Sequence, residues 1–145
     1  MTLSALQIAQ AYSVFANQGN FIELNLFKEN SFAEPLNERV INVETNQKIV
    51  DMLVRTVNSE GGTASKAKLT KWVVAGKTGT AKETMETETT YTATFAGFAP
   101  HDSPEFLAVI VLHGLSGDDY SGGKVSAPLF SRIMEQIFLL RDLEI

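Results

Sequence analysis

Apolar residues recur along this chain with three spacings. The first is helical. In TLSALQIAQAYSVFANQG, Leu3, Leu6, Ala9 or Gln10 and Ser13 form one stripe. Ile8, Tyr12, Phe15 and Ala16 fill a second. Thr2 or Ser4 suits the N-cap, and Gly19 suits the left-handed C′ position. The second spacing is strict alternation. FIELNLF sets Ile22, Leu24 and Leu26 against Glu23 and Asn25, which predicts a short half-buried strand. Residues 28–43, polar and irregular around Pro35, read as a surface excursion. Helical spacing returns in VETNQKIVDMLVRTVNSEGG, where Ile49, Val50, Leu53, Val54 and Val57 line one face. Asn42 or Thr45 can cap that helix, and Gly61-Gly62 can end it.

The third spacing is the dense β-branched and aromatic run. KWVVAGKTGTA, TYTATFAGFAP and EFLAVIVLHGL all read as strands. Lys82–Thr89 and Pro100–Pro104 connect them, lengths suited to hairpins, so the three form an antiparallel meander. The chain closes on SAPLFSRIMEQIFLLRDLEI. There Pro128 fits a first helical turn, and Phe130, Ile133, Met134, Ile137, Phe138 and Leu140 make a wide apolar face. The predicted class is α+β: an antiparallel sheet covered by helices. There is no internal repeat or low-complexity tract.

Composition narrows the function. The 145 residues suit one domain or part of a larger one. The formal net charge of −5, with no Lys/Arg run, argues against nucleic acid or an acidic membrane face as partner. There is no cysteine, which excludes disulfides, thiolate metal sites and a thiol nucleophile. That fits the periplasm and the cytoplasm equally. FLAVIVL is too short to span a bilayer, and the N-terminus has no basic n-region. As it stands the chain reads as soluble and untargeted. No cofactor or metal is expected; the adjacent Asp118 and Asp119 beside glycine read as a turn.

The informative stretch is WVVAGKTGTA, Trp72 to Ala81. Gly76-Lys77-Thr78 is the tail of a phosphate-binding loop. That motif needs a glycine where this chain has Lys71, and a flexible turn where it has Trp72-Val73-Val74-Ala75. A bulky β-branched run makes a strand instead. As a strand, the stretch can border a cleft. Gly79 removes a side chain where a ligand must come close. Alternation puts Lys77 and Gly79 on one face and Thr78 and Thr80 on the other. The edge N–H groups can receive an extended peptide by strand addition, and one can stabilise an oxyanion. Lys77 offers positive charge to a carboxylate.

Several segments in order carry a family resemblance. TLSALQIAQAYSVFANQG, GGTASKAK, VAGKTGTAK, FAGFAP and YSGGKVSAPLFSRIM together resemble the C-terminal part of the transpeptidase domain of class B penicillin-binding proteins. The cell-division type is the most similar. The segments span nearly the whole chain, residues 1–145. The resemblance implies a partial penicillin-binding-protein and serine β-lactamase-like fold. It also implies a peptidoglycan D,D-transpeptidase that cross-links stem peptides through an acyl-serine and binds β-lactams. The family's machinery is Ser-x-x-Lys, Ser-x-Asn and Lys-Thr-Gly.

Only the third motif carries over. On the resemblance, Lys77 joins the cleft's hydrogen-bonded network, and the Thr80 N–H is one oxyanion donor. Thr78, Gly79 and Thr80, with Tyr120, Gly122 and Gly123, line the substrate site. The chain contains no Ser-x-Asn. Ser65-Lys66-Ala67-Lys68 fits Ser-x-x-Lys formally. It lies in a polar stretch after Gly61-Gly62, where its lysine would not be desolvated as a base must be. His101 and His113 are poorly placed as bases. The isolated chain is therefore expected to be inactive, and to expose an apolar sheet face or edge. The implied partners are stem peptides ending in D-Ala-D-Ala, β-lactams, the rest of the transpeptidase domain and other division proteins. The implied setting is the periplasmic side of an inner-membrane anchor. Two alternatives stay open: a non-catalytic module that holds a peptide or partner on the same edge strand and, more remotely, a nucleotide-binding protein. Ser121 stands where the family often has an aromatic, which leaves two readings open: Tyr120 substitutes for it, or that wall is lost. The first helix also reads Thr-Leu-Ser-Ala-Leu-Gln where the family usually has Thr-Pro-Leu-Gln.

Overall fold

The computed structural model describes residues 3–24, 38–84 and 89–143. Helix α1 spans Ala5–Ala16. Ser4 starts it with a full capping box, its hydroxyl accepting from the Gln7 N–H while the Gln7 side chain accepts from the Ser4 N–H. Gln18, not Gly19, is the first left-handed residue after the helix, at φ 54°. Gly19 follows at φ 88° and has its own reason to be glycine: a Cβ there would run into the Ile41 carbonyl.

Of the predicted strand over FIELNLF, residues 21–24 are described, and the strand ends at Phe21 among them. Only Asn20–Phe21 forms β1, paired antiparallel with β2 at Glu38–Arg39. The Gln10 side chain takes the next backbone groups. It donates to the Ile22 carbonyl and accepts from the Leu24 N–H at 3.2 Å, which replaces a ladder with a helix-held segment. Leu26 lies outside the described residues.

Helix α2 spans Val43–Asn58, with Asn42 as its cap. The central sheet follows: β3 at Ala75–Thr84, β4 at Thr89–Ala99 and β5 at Phe106–Leu115, antiparallel in that order. This is the predicted meander, with β3 displaced toward higher residue numbers. Trp72 leaves the strand to stack on Phe138, with ring centroids 4.0 Å apart. Helix α3 covers Ser126–Leu143.

Two cores lie on opposite faces of the sheet. One gathers Phe95, Phe130, Met134 and Phe138 between the sheet and α3. The other gathers Ala75, Phe98 and Val50 with Tyr12 and Phe15 of α1. Helix α2 crosses the β3 edge between them, since Val50 joins the second core and Val57 the first. Burial pushes the Tyr12 hydroxyl above its ordinary pKa. Apolar surface remains on the far side. The residues of β5 from Phe106 to Leu112 are half-buried, and Ile133, Leu139, Leu140 and Leu143 of α3 are exposed. β4 is the only ladder partner of β5 among the described residues.

Candidate ligand cleft on the β3 edge

Gly76 is a packing residue rather than part of a phosphate loop. It pairs across the ladder with Gly97, and the Phe95 ring lies over both. A Cβ at Gly97 would come within 2.9 Å of that ring and 2.8 Å of the Ala75 carbonyl. The Phe95 ring then reaches Phe130 of α3 at 4.6 Å. The two glycines let a large aromatic lie flat on the sheet.

The outward groups of β3 follow from parity. Ten consecutive residues pair with β4 without a slip. In such a ladder each residue turns both its N–H and its C=O either toward the partner strand or away from it, in alternation. The Val74 and Gly76 carbonyls accept from Asn58 and Thr56 of α2, so they face away from β4. The same alternation turns the backbone groups of Thr78 and Thr80 to the outer edge. Past Gly76 that edge has no ladder partner among the described residues.

Side chains converge on this open stretch. The Lys77 ammonium donates to the Thr78 carbonyl at 3.1 Å and to the Thr78 hydroxyl at 3.3 Å. No carboxylate pairs with it among the described residues. The Thr80 hydroxyl accepts from the Gly122 N–H at 3.2 Å. A threonine hydroxyl has one proton to donate and two acceptor positions. In both threonines an N–H occupies an acceptor position, so both protons remain free for an anionic ligand.

The loop before α3 lies against this strand. A Cβ on Gly122 would stand 2.7 Å from the Gly79 carbonyl and 3.2 Å from the Thr78 Cβ. A Cβ on Gly123 would collide with the Thr63 carbonyl and touch Thr78 Cγ2 at 3.9 Å. The GGT segment, the GG loop and β3 therefore interlock through close backbone approach. Tyr120 stacks on Tyr91 of β4 at 3.7 Å and 11°. Asp119 pairs with Lys124 at 2.9 Å. That hydrogen bond holds the carboxyl below its ordinary pKa and the ammonium above its own.

The structure thus gathers Lys77, Thr78, Gly79, Thr80, Gly122 and Gly123, with Tyr120 anchored at one side. It separates the rejected candidates. Ser65 and Lys66 are exposed on a short 3-10 turn. His101 lies in the β4–β5 turn, and His113 on β5 meets Thr92 at 3.0 Å. Sequence reasoning missed three residues. Tyr91 looks like any strand aromatic. Thr56 and Asn58 look like the polar face of a helix. Only the tertiary fold shows what each touches.

Residues 1–135 match the family described as the penicillin binding protein transpeptidase domain. The chain belongs to this family. Among related transpeptidases, the peptidoglycan D,D-transpeptidase FtsI of Buchnera aphidicola subsp. Schizaphis graminum is 33% identical, covering 100% of this chain and 25% of that protein. FtsI of Escherichia coli strain K12 is 31% identical over 99% of this chain and 24% of its own. A probable peptidoglycan D,D-transpeptidase PenA of Neisseria flavescens is 30% identical over 92% and 34%. The apo transpeptidase domain of Burkholderia pseudomallei penicillin-binding protein 3 superposes with a TM-score of 0.80 at 31% identity. This chain covers 43% of that one. The chain therefore has the fold of part of a penicillin-binding transpeptidase domain, and spans between 24% and 34% of the length of these curated relatives.

Proposed function

We propose that this chain is the C-terminal portion of the transpeptidase domain of a peptidoglycan D,D-transpeptidase of the cell-division type. The observation that carries the reading is the open β3 edge from Thr78 to Thr80. It is flanked by Lys77 and floored by Gly122.

The substrate is a stem peptide ending in D-Ala-D-Ala. A serine outside this sequence attacks the penultimate D-Ala carbonyl. The C–N bond breaks, and the terminal D-Ala leaves as an amine that takes up a proton. An amine of a second stem peptide then attacks the acyl-serine, and the serine oxygen regains its proton. This chain supplies the environment for both steps. The Thr80 N–H, turned outward by strand parity, stabilises the oxyanion. The free hydroxyl protons of Thr78 and Thr80 meet the terminal carboxylate. Lys77 adds positive charge beside it. A β-lactam presents the same carboxylate and carbonyl and acylates the same serine. The rest of the domain covers the half-buried β5 and the exposed α3 residues. The whole enzyme is anchored in the inner membrane, faces the periplasm and works with other division proteins. No helix of the described residues is long and apolar enough to cross a membrane.

Intact mass after incubation with a penicillin tests this reading. The full transpeptidase gains one adduct, on a serine outside residues 1–145, and the isolated chain gains none. An adduct on Ser65 overturns the reading. Peptide binding to the full protein with no acyl transfer replaces it with a non-catalytic binding module.

A further inference from the structure

The β3 edge is closed at one end by side chains of α2. Asn58 uses both protons of its amide, donating to the Val54 and Val74 carbonyls at 2.8 Å each. The Thr56 hydroxyl lies on the Gly76 carbonyl and also meets the Leu53 carbonyl at 2.8 Å. Asn58 thus ties its own helix to the Val74 carbonyl, while the single Thr56 hydroxyl proton is shared between the Leu53 and Gly76 carbonyls. Val74 and Gly76 are the two edge positions immediately before Thr78.

The open β3 edge therefore has one blocked end. The blocked end is also where the anion-seeking groups sit. Lys77 bends over the Thr78 carbonyl, and the Thr78 hydroxyl proton is unused. A peptide pairing along Thr78 and Thr80 can continue toward Thr84 but cannot continue past Gly76. Shifting a paired strand by two residues moves it about 7 Å. A misplacement of about 1 Å at a reacting carbonyl is enough to slow chemistry. The position of the block therefore decides which part of a peptide can reach the Thr80 N–H.

We propose that Thr56 and Asn58 are specificity-determining residues: they end the open edge at Gly76, so that only a peptide whose chain ends there, as a free carboxylate, is placed for acyl transfer. They touch neither the substrate nor the reacting atoms, and act through the Val74 and Gly76 carbonyls. The inference rests on the β3 edge being the peptide-binding edge, as proposed above.

The test uses the full transpeptidase that carries this chain and two synthetic stem peptides. One ends in D-Ala-D-Ala. The other carries one additional residue after it. The readout is the ratio of their acyl-transfer rates within each preparation. A loss of folded protein lowers both rates together and cancels in the ratio. The wild type strongly prefers the unextended peptide. Thr56→Ala combined with Asn58→Ala narrows that preference by about tenfold, within the range that one lost contact gives in substrate discrimination. Thr56→Ser keeps the hydroxyl and the wild-type ratio. Equal loss for both peptides overturns the inference and leaves α2 as a scaffold for β3. An unchanged ratio in the double variant also overturns it. A wild type that transfers neither peptide instead defeats the transpeptidase reading on which it rests.

Discussion

The Gly122 N–H donates to the Thr80 hydroxyl at 3.2 Å, tying the loop before α3 to the strand that carries the candidate cleft edge. The contact exists because Gly122 has no side chain. Its backbone lies directly on the Gly79 and Thr94 carbonyls. Sequence motif and tertiary contact meet here, since the GG of the loop and the KTGT of the strand are 42 residues apart and touch.

Gly122→Ala forces this loop off the sheet. The added methyl meets the Gly79 carbonyl and Thr78 Cβ, and backbone cannot yield as a flexible side chain can. The expected cost is about 1–3 kcal/mol of stability, as for other overpacked sites. Urea unfolding of the full transpeptidase checks it. Penicillin acylation falls in the same variant, because the Thr80 hydroxyl loses the donor that orients it.

Gly97→Ala and Gly76→Ala displace the Phe95 ring from the sheet. Because Phe95 is fully buried against Phe130, the strain enters the core. Each variant is expected to lose about 1–3 kcal/mol. Neither is expected to alter the affinity for a nucleotide, because Gly76 is a strand residue with a packing role. ATP leaves the melting temperature of the wild type unchanged.

Tyr91→Ala removes the ring on which Tyr120 rests. Aromatic pairs contribute about 0.5–1.5 kcal/mol beyond their buried area. Hydrogen exchange across residues 116–125 should therefore accelerate, while exchange in α1 does not. Tyr91→Phe keeps the ring and should behave as the wild type.

The Asp119–Lys124 pair gives the same loop a pH window. The carboxyl has a lowered pKa in the folded state, so its contribution is present above the ordinary value of 3.8 and fades as pH falls through the folded value. The ammonium has a raised pKa, so its contribution is complete below the ordinary value of 10.5 and fades as pH rises through the folded value. The pair therefore operates across the neutral range. Both side chains are exposed, so Asp119→Asn at neutral pH should leave the unfolding midpoint nearly unchanged. A pH titration followed by NMR of the Lys124 side chain checks the window.

Much of this architecture is legible in the sequence. The helical stripes, the Ser4 and Asn42 caps and the three-stranded meander all follow from local spacing and capping chemistry. Two strand starts and ends depart from the local pattern, for tertiary reasons. In FIELNLF, Gln10 of α1 takes the Ile22 carbonyl and the Leu24 N–H, so the ladder ends at Phe21 among the described residues. Trp72 extends the β-like run in sequence, but its ring goes to Phe138 and the strand begins at Ala75. In the candidate cleft, the Lys-Thr-Gly-Thr run is legible because alternation alone assigns its faces. The Gly76–Gly97 pair needed the register. Tyr91, Thr56 and Asn58 needed the fold, because their roles lie in what they touch.

The β3 edge at Lys77–Thr80 is proposed above as one wall of the cleft in which a serine is acylated. The most direct measurement is the rate of penicillin acylation of the full transpeptidase carrying Lys77→Ala, followed by intact mass. Lys77→Ala is expected to slow acylation about a hundredfold, in line with losing one electrostatically stabilising group from an active site, with the folded fraction unchanged. Acylation at the wild-type rate would contradict it.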